Sequence, residues 1–202
     1  MLKKIGVLVS GGGSNLQAII DQIHHQFGEI VIVLSNKEEV YALERAKKAG
    51  IEAMAVTAAS YQDPDGEMIK ILKDKQVNLV VLAGYMRIIP EAFVNAFENK
   101  IINIHPALIP SFCGKGYYGI HVHEAVIDYG AKITGVTVHF VNAQADDGPI
   151  IAQKSVAVAD DDTPESLQKK VLVYEHKLLP EVIKKYCQDK ISVSGRKVCV
   201  KE

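Results

Sequence analysis

The chain has 202 residues, 48% of them hydrophobic and 23% charged, with 23 basic against 24 acidic side chains and a formal net charge of −1. That length suits one domain with its own core, and the charge balance argues against a broad nucleic-acid or anionic-membrane footprint. The three cysteines Cys113, Cys187 and Cys199 suggest a reducing compartment; with no CxxC or HExxH spacing, no leader-like start and no apolar run near ~18 residues, the expectation is a cytoplasmic protein with no metal, nucleic-acid or membrane partner.

Ile5 to Val9 is short, apolar and β-branched, the pattern of a buried parallel strand. Ser10-Gly11-Gly12-Gly13-Ser14-Asn15 follows, and Leu16, Ile19, Ile20 and Ile23 then recur at helical spacing. This strand, glycine turn and helix admit two readings. Glycines let a backbone approach a ligand closely, and the first N–H groups of a helix are free to face an anion. The alternative is a tight turn with Ser14 as helix cap. The third glycine of a dinucleotide fingerprint falls at Leu16, and the lysine of a phosphate-binding P-loop is missing. A phosphate monoester therefore fits better than a pyrophosphate.

Glu29 to Ser35 predicts a second strand, Val40 to Ala49 a helix ended by Gly50, and Ile51 to Thr57 a third strand. Asp63-Pro64-Asp65-Gly66 carries turn chemistry, and Met68, Ile69 and Leu72 line a helix behind it. Val77 to Leu82 is another buried strand. Strands alternating with helices over the first hundred residues indicate an α/β fold, a doubly wound, mostly parallel sheet with right-handed connections. Met86, Arg87, Ile88 and Ile89 leave the last of these strands. By residue type Met86, Ile88 and Ile89 read as a loop packed on its own core, with the wall of a flat, partly apolar ligand pocket as the alternative. Glu91 to Phe97 is a short helix.

Ile101-Ile102-Asn103-Ile104-His105-Pro106 comes next. Residues two apart share a strand face, so Asn103 and His105 project together, and Pro106 ends the strand. A polar pair at a strand exit is where open α/β sheets place ligands; an edge strand with two solvated side chains is the plainer reading. The Ala107 to Gly119 stretch mixes proline, glycine and aromatics, as an ordered but adaptable gate would. Cys113 has no basic neighbour in sequence to activate it as a nucleophile. His121 and His123 open a helix to Tyr129, and their spacing puts them on different faces, which argues against a metal.

Lys132 to Phe140 alternates like a strand, with Thr134, Thr137 and His139 at polar positions. Asn142-Ala143-Gln144-Ala145-Asp146-Asp147-Gly148-Pro149 connects it to Ile150 to Val158, and the two strands should pair antiparallel. Thr163 as cap and Pro164 at the first helical position start a helix to about Tyr186, in which Pro180 predicts a kink or break. Ile191 to Val200 reads as a hairpin around Ser194-Gly195.

A carboxylate from Asp146 or Asp147 set against His105 would raise the imidazole pKa and fix its tautomer. Such a histidine exchanges protons or, as a cation, stabilises an oxyanion, and the Asn103 amide can donate to the same oxyanion. No serine or cysteine is placed as a nucleophile, so the set suits direct transfer between two bound substrates.

Several segments together give the chain a family likeness: Ser10 to Gln17, Ser35-Asn36, Leu82 to Ile88, Asn103-Ile104-His105-Pro106, Gly135 to Phe140, Asp146-Asp147-Gly148-Pro149 and Glu175-His176. Spread in order over nearly the whole chain, they resemble the phosphoribosylglycinamide formyltransferase family, the folate-dependent glycinamide ribonucleotide transformylases of purine synthesis. The resemblance implies the formyltransferase fold, Rossmann-like with an antiparallel C-terminal portion, and a single domain over 1–202. Within it, 1–100 would be the phosphate-binding half and 101–202 the catalytic and folate-binding half. It implies formyl transfer from the co-substrate 10-formyltetrahydrofolate to the amine of 5-phosphoribosylglycinamide, by a monomer or homodimer.

By the same resemblance Asn103, His105 and Asp146 match the catalytic residues, Asp147 filling the variable place of D-x-G-P. Gly12, Gly13, Ser14 and Asn15 match the grip on the ribosyl phosphate, and Glu175 matches a residue that holds the glycinamide. Met86, Arg87, Ile88 and Ile89 match the folate pocket with Asn103, Asn142, Ala143, Gln144, Ala145 and Asp146. Some members carry an arginine near position 64 at the folate site, where this chain is acidic; Lys115 is a candidate in its place. Related alternatives are a methionyl-tRNA formyltransferase, which needs a basic extension, and a formyltetrahydrofolate hydrolase, which usually carries a further domain. A nicotinamide oxidoreductase and a non-catalytic folate-binding module complete the set.

Overall fold

The computed structural model describes residues 1–201. Four apolar runs of the first half become parallel strands: β1 (Lys3–Val9), β2 (Gly28–Ser35), β3 (Ala53–Ala55) and β4 (Leu79–Leu82). β5 (Ile101–His105) continues the parallel set beside β4, and β6 (Ile133–Phe140) and β7 (Ile150–Ala157) complete the sheet antiparallel. The strand order is β3-β2-β1-β4-β5-β6-β7. Sequential order reverses between β1 and β4, so a crevice opens at their carboxyl ends, where such sheets bind ligands.

Alternation along β1 shows why the sheet is covered on both sides. Ile5, Val7 and Val9 enter one core, with α1 (Ser14–Gln22), α2 (Tyr41–Lys48) and the long α6 (Pro164–Cys187). Leu8 points to the other, with α3 (Pro64–Asp74) and α4 (Glu91–Ala96). A third cluster joins α5 (Ile120–Asp128) to β6, β7 and α6 through Val126, Val136, Val156, Leu167 and Val171. Two short strands, β8 (Ile191–Ser194) and β9 (Lys197–Val200), form a separate hairpin. No helix among the described residues is long and apolar enough to cross a membrane.

Several local expectations are corrected. The third strand is only Ala53–Ala55. Asp63-Pro64-Asp65-Gly66 is a helix start rather than a free turn: the Asp63 carboxylate accepts from Gly66 N at 3.0 Å and Pro64 stands at the first helical position. Ser14 does not cap α1. The cap is Gly13, at φ +73°, and no side chain closes the first turn. α6 runs through Pro180 without a break. A proline removes the N–H that would bond the carbonyl four residues back; here that carbonyl, of His176, accepts from Gln22 Nε2 at 3.0 Å instead. Thr163 and Ser166 cap each other's backbone at the start of α6, as the Thr-Pro signal predicts.

Candidate active site

Asn103 and His105 lie at the carboxyl end of β5, where Pro106 ends the ladder. Antiparallel register sets Asn103 opposite His139 of β6, and His105 opposite Thr137. The loop after β6 then turns back over them. Asn142 Oδ1 accepts from Gln144 N at 3.0 Å, and Asn142 Nδ2 donates to Asp147 Oδ2 at 3.1 Å. Asp146 adopts φ +53°, which swings its carboxylate inward. Gly148 has no alternative, since a Cβ there would sit 1.7 Å from Phe140 O.

The Asp146 carboxylate accepts from Gly114 N at 2.9 Å and lies 3.5 Å from His105 Nδ1, 3.7 Å from His139 Nε2 and 3.5 Å from Asn103 Nδ2. The His105 distance is somewhat longer than a direct hydrogen bond. Asp147 points elsewhere, to Arg196 at 3.2 Å. His139 Nδ1 donates to Phe140 O at 2.8 Å, which leaves Nε2 as the acceptor for Asn103 Nδ2 at 3.2 Å. The same amide also reaches Asp146 Oδ1 at 3.5 Å, a long contact that a ligand oxygen can displace. His105 Nε2 donates to Phe112 O at 2.8 Å, so in the neutral ring Nδ1 is a bare acceptor beside Asp146.

Burial opposes charge on His105 more strongly than Asp146 and the Phe112 carbonyl favour it, so its pKa falls below the usual imidazole value. The aspartate does raise it, as expected, but burial sets the net direction, and the ring is neutral near pH 7. For Asp146, burial pushes the pKa up, but His139 and His105 in their protonated forms and the Gly114 N–H outweigh it, so the pKa falls below the usual carboxylate value. His123 is buried nearby, brought down to about 4 by burial and by His105.

These groups form one end of a cavity of about 590 Å³. Met86, Arg87, Ile88 and Ile89 line it, as do Asn142, Gln144, Ala145 and Asp146, whereas Ala143 is not on its wall. Met86 is 47% and Ile88 64% exposed, so they are not core residues. Arg87 Nη2 donates to Asp65 at 2.8 Å, which ties the acidic start of α3 to the cavity rim. Lys115 also lines the wall.

Ser14 and Asn15 are shared with a second cavity of about 310 Å³, lined by Gly11, Gly12 and Gly13. Here the open first turn of α1 presents its N–H groups. A Cβ on Gly13 would lie 2.6 Å from Ala42 Cβ, so the glycine is needed for the close approach of α2 as well as for its φ. Between the two cavities Asn15 Nδ2 donates to the buried Glu175 carboxylate at 2.6 Å. Burial raises the Glu175 pKa, and the Asn15 amide only partly offsets this.

Four contributors escaped sequence reasoning. His139 was visible as a polar strand position, but its pairing with Asn103 needs the β5–β6 register. Arg45 donates to Gly12 O at 2.8 Å and to Gln17 Oε1 at 3.0 Å, and lies over the Tyr41 ring at the second cavity; nothing near the glycine turn signals it. Gln168 and Leu172 line the large cavity with Glu175, and their helical spacing to that residue was the available signal. Cys113 stays a thiol, its pKa raised by burial and by Asp146 and Asp147. No cluster of metal-ligating side chains occurs among the described residues.

An uncapped glycine turn and a partly buried Asn–His–Asp cluster at the carboxyl edge of a doubly wound sheet place the chain among α/β proteins built to bind ligands at that edge. The chain belongs to the formyl transferase family, whose profile matches residues 3–183. It is 44% identical over 195 residues to the chloroplastic phosphoribosylglycinamide formyltransferase of Arabidopsis thaliana, covering 94% of this chain and 67% of that protein. Identity to the corresponding Vigna unguiculata protein is 40%, covering 94% of this chain and 62% of that one. The chain thus spans about two thirds of the length of these plant relatives. Glycinamide ribonucleotide transformylase 1 from Symbiobacterium toebii superposes with a TM-score of 0.93 at 38% identity, covering 100% of this chain and 95% of that one.

Proposed function

We propose that the protein transfers the formyl group of 10-formyltetrahydrofolate to the amine of 5-phosphoribosylglycinamide, a step of de novo purine (IMP) synthesis. The observation that carries this reading is the placement of Asn103, His105 and Asp146 in one cavity that meets the glycine turn at Ser14 and Asn15. A phosphate on the first turn of α1 and an amine beside Glu175 leave the rest of the large cavity for a flat, partly apolar co-substrate. The chain acts as one domain, with the phosphate grip in 1–100 and most of the chemistry in 101–202. A cytoplasmic location fits its free cysteines.

The amine attacks the formyl carbon, forming one C–N bond and a tetrahedral oxyanion. Asn103 Nδ2 gives up its long contact with Asp146 Oδ1 and donates to that oxygen, a positioned donor of the kind worth roughly 10²–10³ in turnover. The amine then loses one proton and the departing folate nitrogen gains one, so no net proton is exchanged. Neutral His105 takes the proton at Nδ1, Asp146 stabilises the resulting imidazolium, and the proton passes to the leaving nitrogen as its bond to the formyl carbon breaks.

One assay separates this reading from its neighbours. The protein is incubated with 10-formyltetrahydrofolate, with and without 5-phosphoribosylglycinamide. Loss of the formyl group only when the amine is present is the expected result. Amine-independent loss would indicate a hydrolase, and tight folate binding without loss a binding module.

A further inference from the structure

We infer that Arg196, on the turn of the β8–β9 hairpin, is a positioning residue for the co-substrate loop. The inference rests on the formyl-transfer reading of the large cavity. Arg196 Nη1 donates to Asp147 Oδ2 at 3.2 Å and Oδ1 at 3.4 Å, and Nη2 donates to Oδ1 at 3.4 Å. A guanidinium fork on both carboxylate oxygens fixes orientation as well as distance. On its inner side the same carboxylate receives Asn142 Nδ2, and Asn142 in turn holds Gln144 N. One side chain from the hairpin therefore fastens the end of a chain of contacts that shapes the cavity wall at Asn142, Gln144 and Ala145. β9 packs against β7, so the hairpin carrying Arg196 rests on the same sheet as the loop it holds.

The brace acts on the wall and spares the buried carboxylate. Asp146 is anchored separately, by Gly114 N and by the Asn103 amide. Losing Arg196 should therefore loosen the loop's outer part and weaken formylfolate binding while the chemical step proceeds. The pair is largely exposed, with Arg196 at 68% and Asp147 at 41%, so the effect is modest and screened by salt.

Arg196→Ala is expected to raise KM for 10-formyltetrahydrofolate about two- to fivefold, with kcat within about twofold. Arg196→Lys should fall between wild type and alanine, Asp147→Asn should reproduce the alanine value, and the double variant should add nothing further. The difference should shrink at high salt, and Lys197→Ala on the same hairpin should leave KM unchanged. Amide hydrogen exchange over 142–148 is measured alongside and should quicken in Arg196→Ala. Unchanged KM with unchanged exchange, or a fall in kcat at constant KM, overturns the brace. Wild-type protein that fails to turn over formylfolate overturns the functional reading instead, and the exchange measurement still decides whether Arg196 orders the loop.

Discussion

In the proposed site, the groups offered to a ligand at the glycine turn after β1 belong to the backbone; at the end of β5 they belong to side chains. The turn works by what is missing: no Cβ on Gly13, no side-chain cap on α1. The strand end works by interlocking, with Asn103, His105, His139 and Asp146 each restraining another. The two regions should therefore fail in opposite ways. Deleting a polar atom should be severe at the strand end and mild at the turn. Adding a methyl group should be severe at Gly13.

The largest effect expected from this contrast is on turnover. Asn103→Ala, His105→Ala and Asp146→Asn should each lower kcat by at least roughly 10²–10³, measured as amine-dependent formyl transfer at saturating substrates. Asp147→Asn should stay within about fivefold, because its carboxylate faces Arg196 and not the imidazoles. A reversed ranking of the two aspartates would remove Asp146 from the mechanism.

The methyl test comes next. Gly13→Ala places a side chain at φ +73° and 2.6 Å from Ala42 Cβ. The left-handed backbone alone costs about 1–2 kcal/mol, so Tm should fall by about 2–8 °C, and KM for the phosphoribosyl substrate should rise about tenfold. Gly12→Ala, with nothing within 4 Å of the added carbon, and Ser14→Ala should move KM less than about threefold. If Ser14→Ala proves as damaging as Gly13→Ala, the anion is held by a hydroxyl and the backbone account of the turn is wrong.

The contrast also bears on what a sequence can reveal. The glycine turn is local: strand, glycines and helix are contiguous, so its position was legible, while the choice between an open helix start and a Ser14 cap was left to the structure. The strand end is assembled from β5, β6 and two loops. Asn103, His105 and Asp146 could be singled out by residue type and family likeness, but the His139 contact needs a pairing register that no single segment encodes. Arg45 belongs to a different βα unit from the turn it touches, and Arg196 is separated from Asp147 by the whole of α6. α6 continues through Pro180, and Gln22, far away in sequence, satisfies the carbonyl that the proline leaves without its N–H. Asp63 to Gly66 has the composition of a turn and also that of a helix cap, and the apolar helix behind it decides in favour of the cap.

The finest test of the interlocked region is the titration of His105 itself, followed by NMR of the imidazole in the free protein. Burial lowers its pKa below 6.5 despite the neighbouring carboxylate, so the folded state binds the proton less tightly than the unfolded chain does. The ring is then neutral at pH 7 and charges only as pH falls below 6.5 toward the lowered value. The stability gained by keeping it neutral is complete above 6.5 and is lost through that same acid window. Asp146→Asn removes the main influence that raises the pKa, so the variant should titrate lower still. A midpoint above 6.5 would mean that the Asp146 charge outweighs burial and that His105 enters the reaction already protonated, as an oxyanion donor beside Asn103. A midpoint that Asp146→Asn leaves unmoved would mean that the 3.5 Å between Nδ1 and the carboxylate carries no coupling, and that Asp146 acts only by shaping its loop.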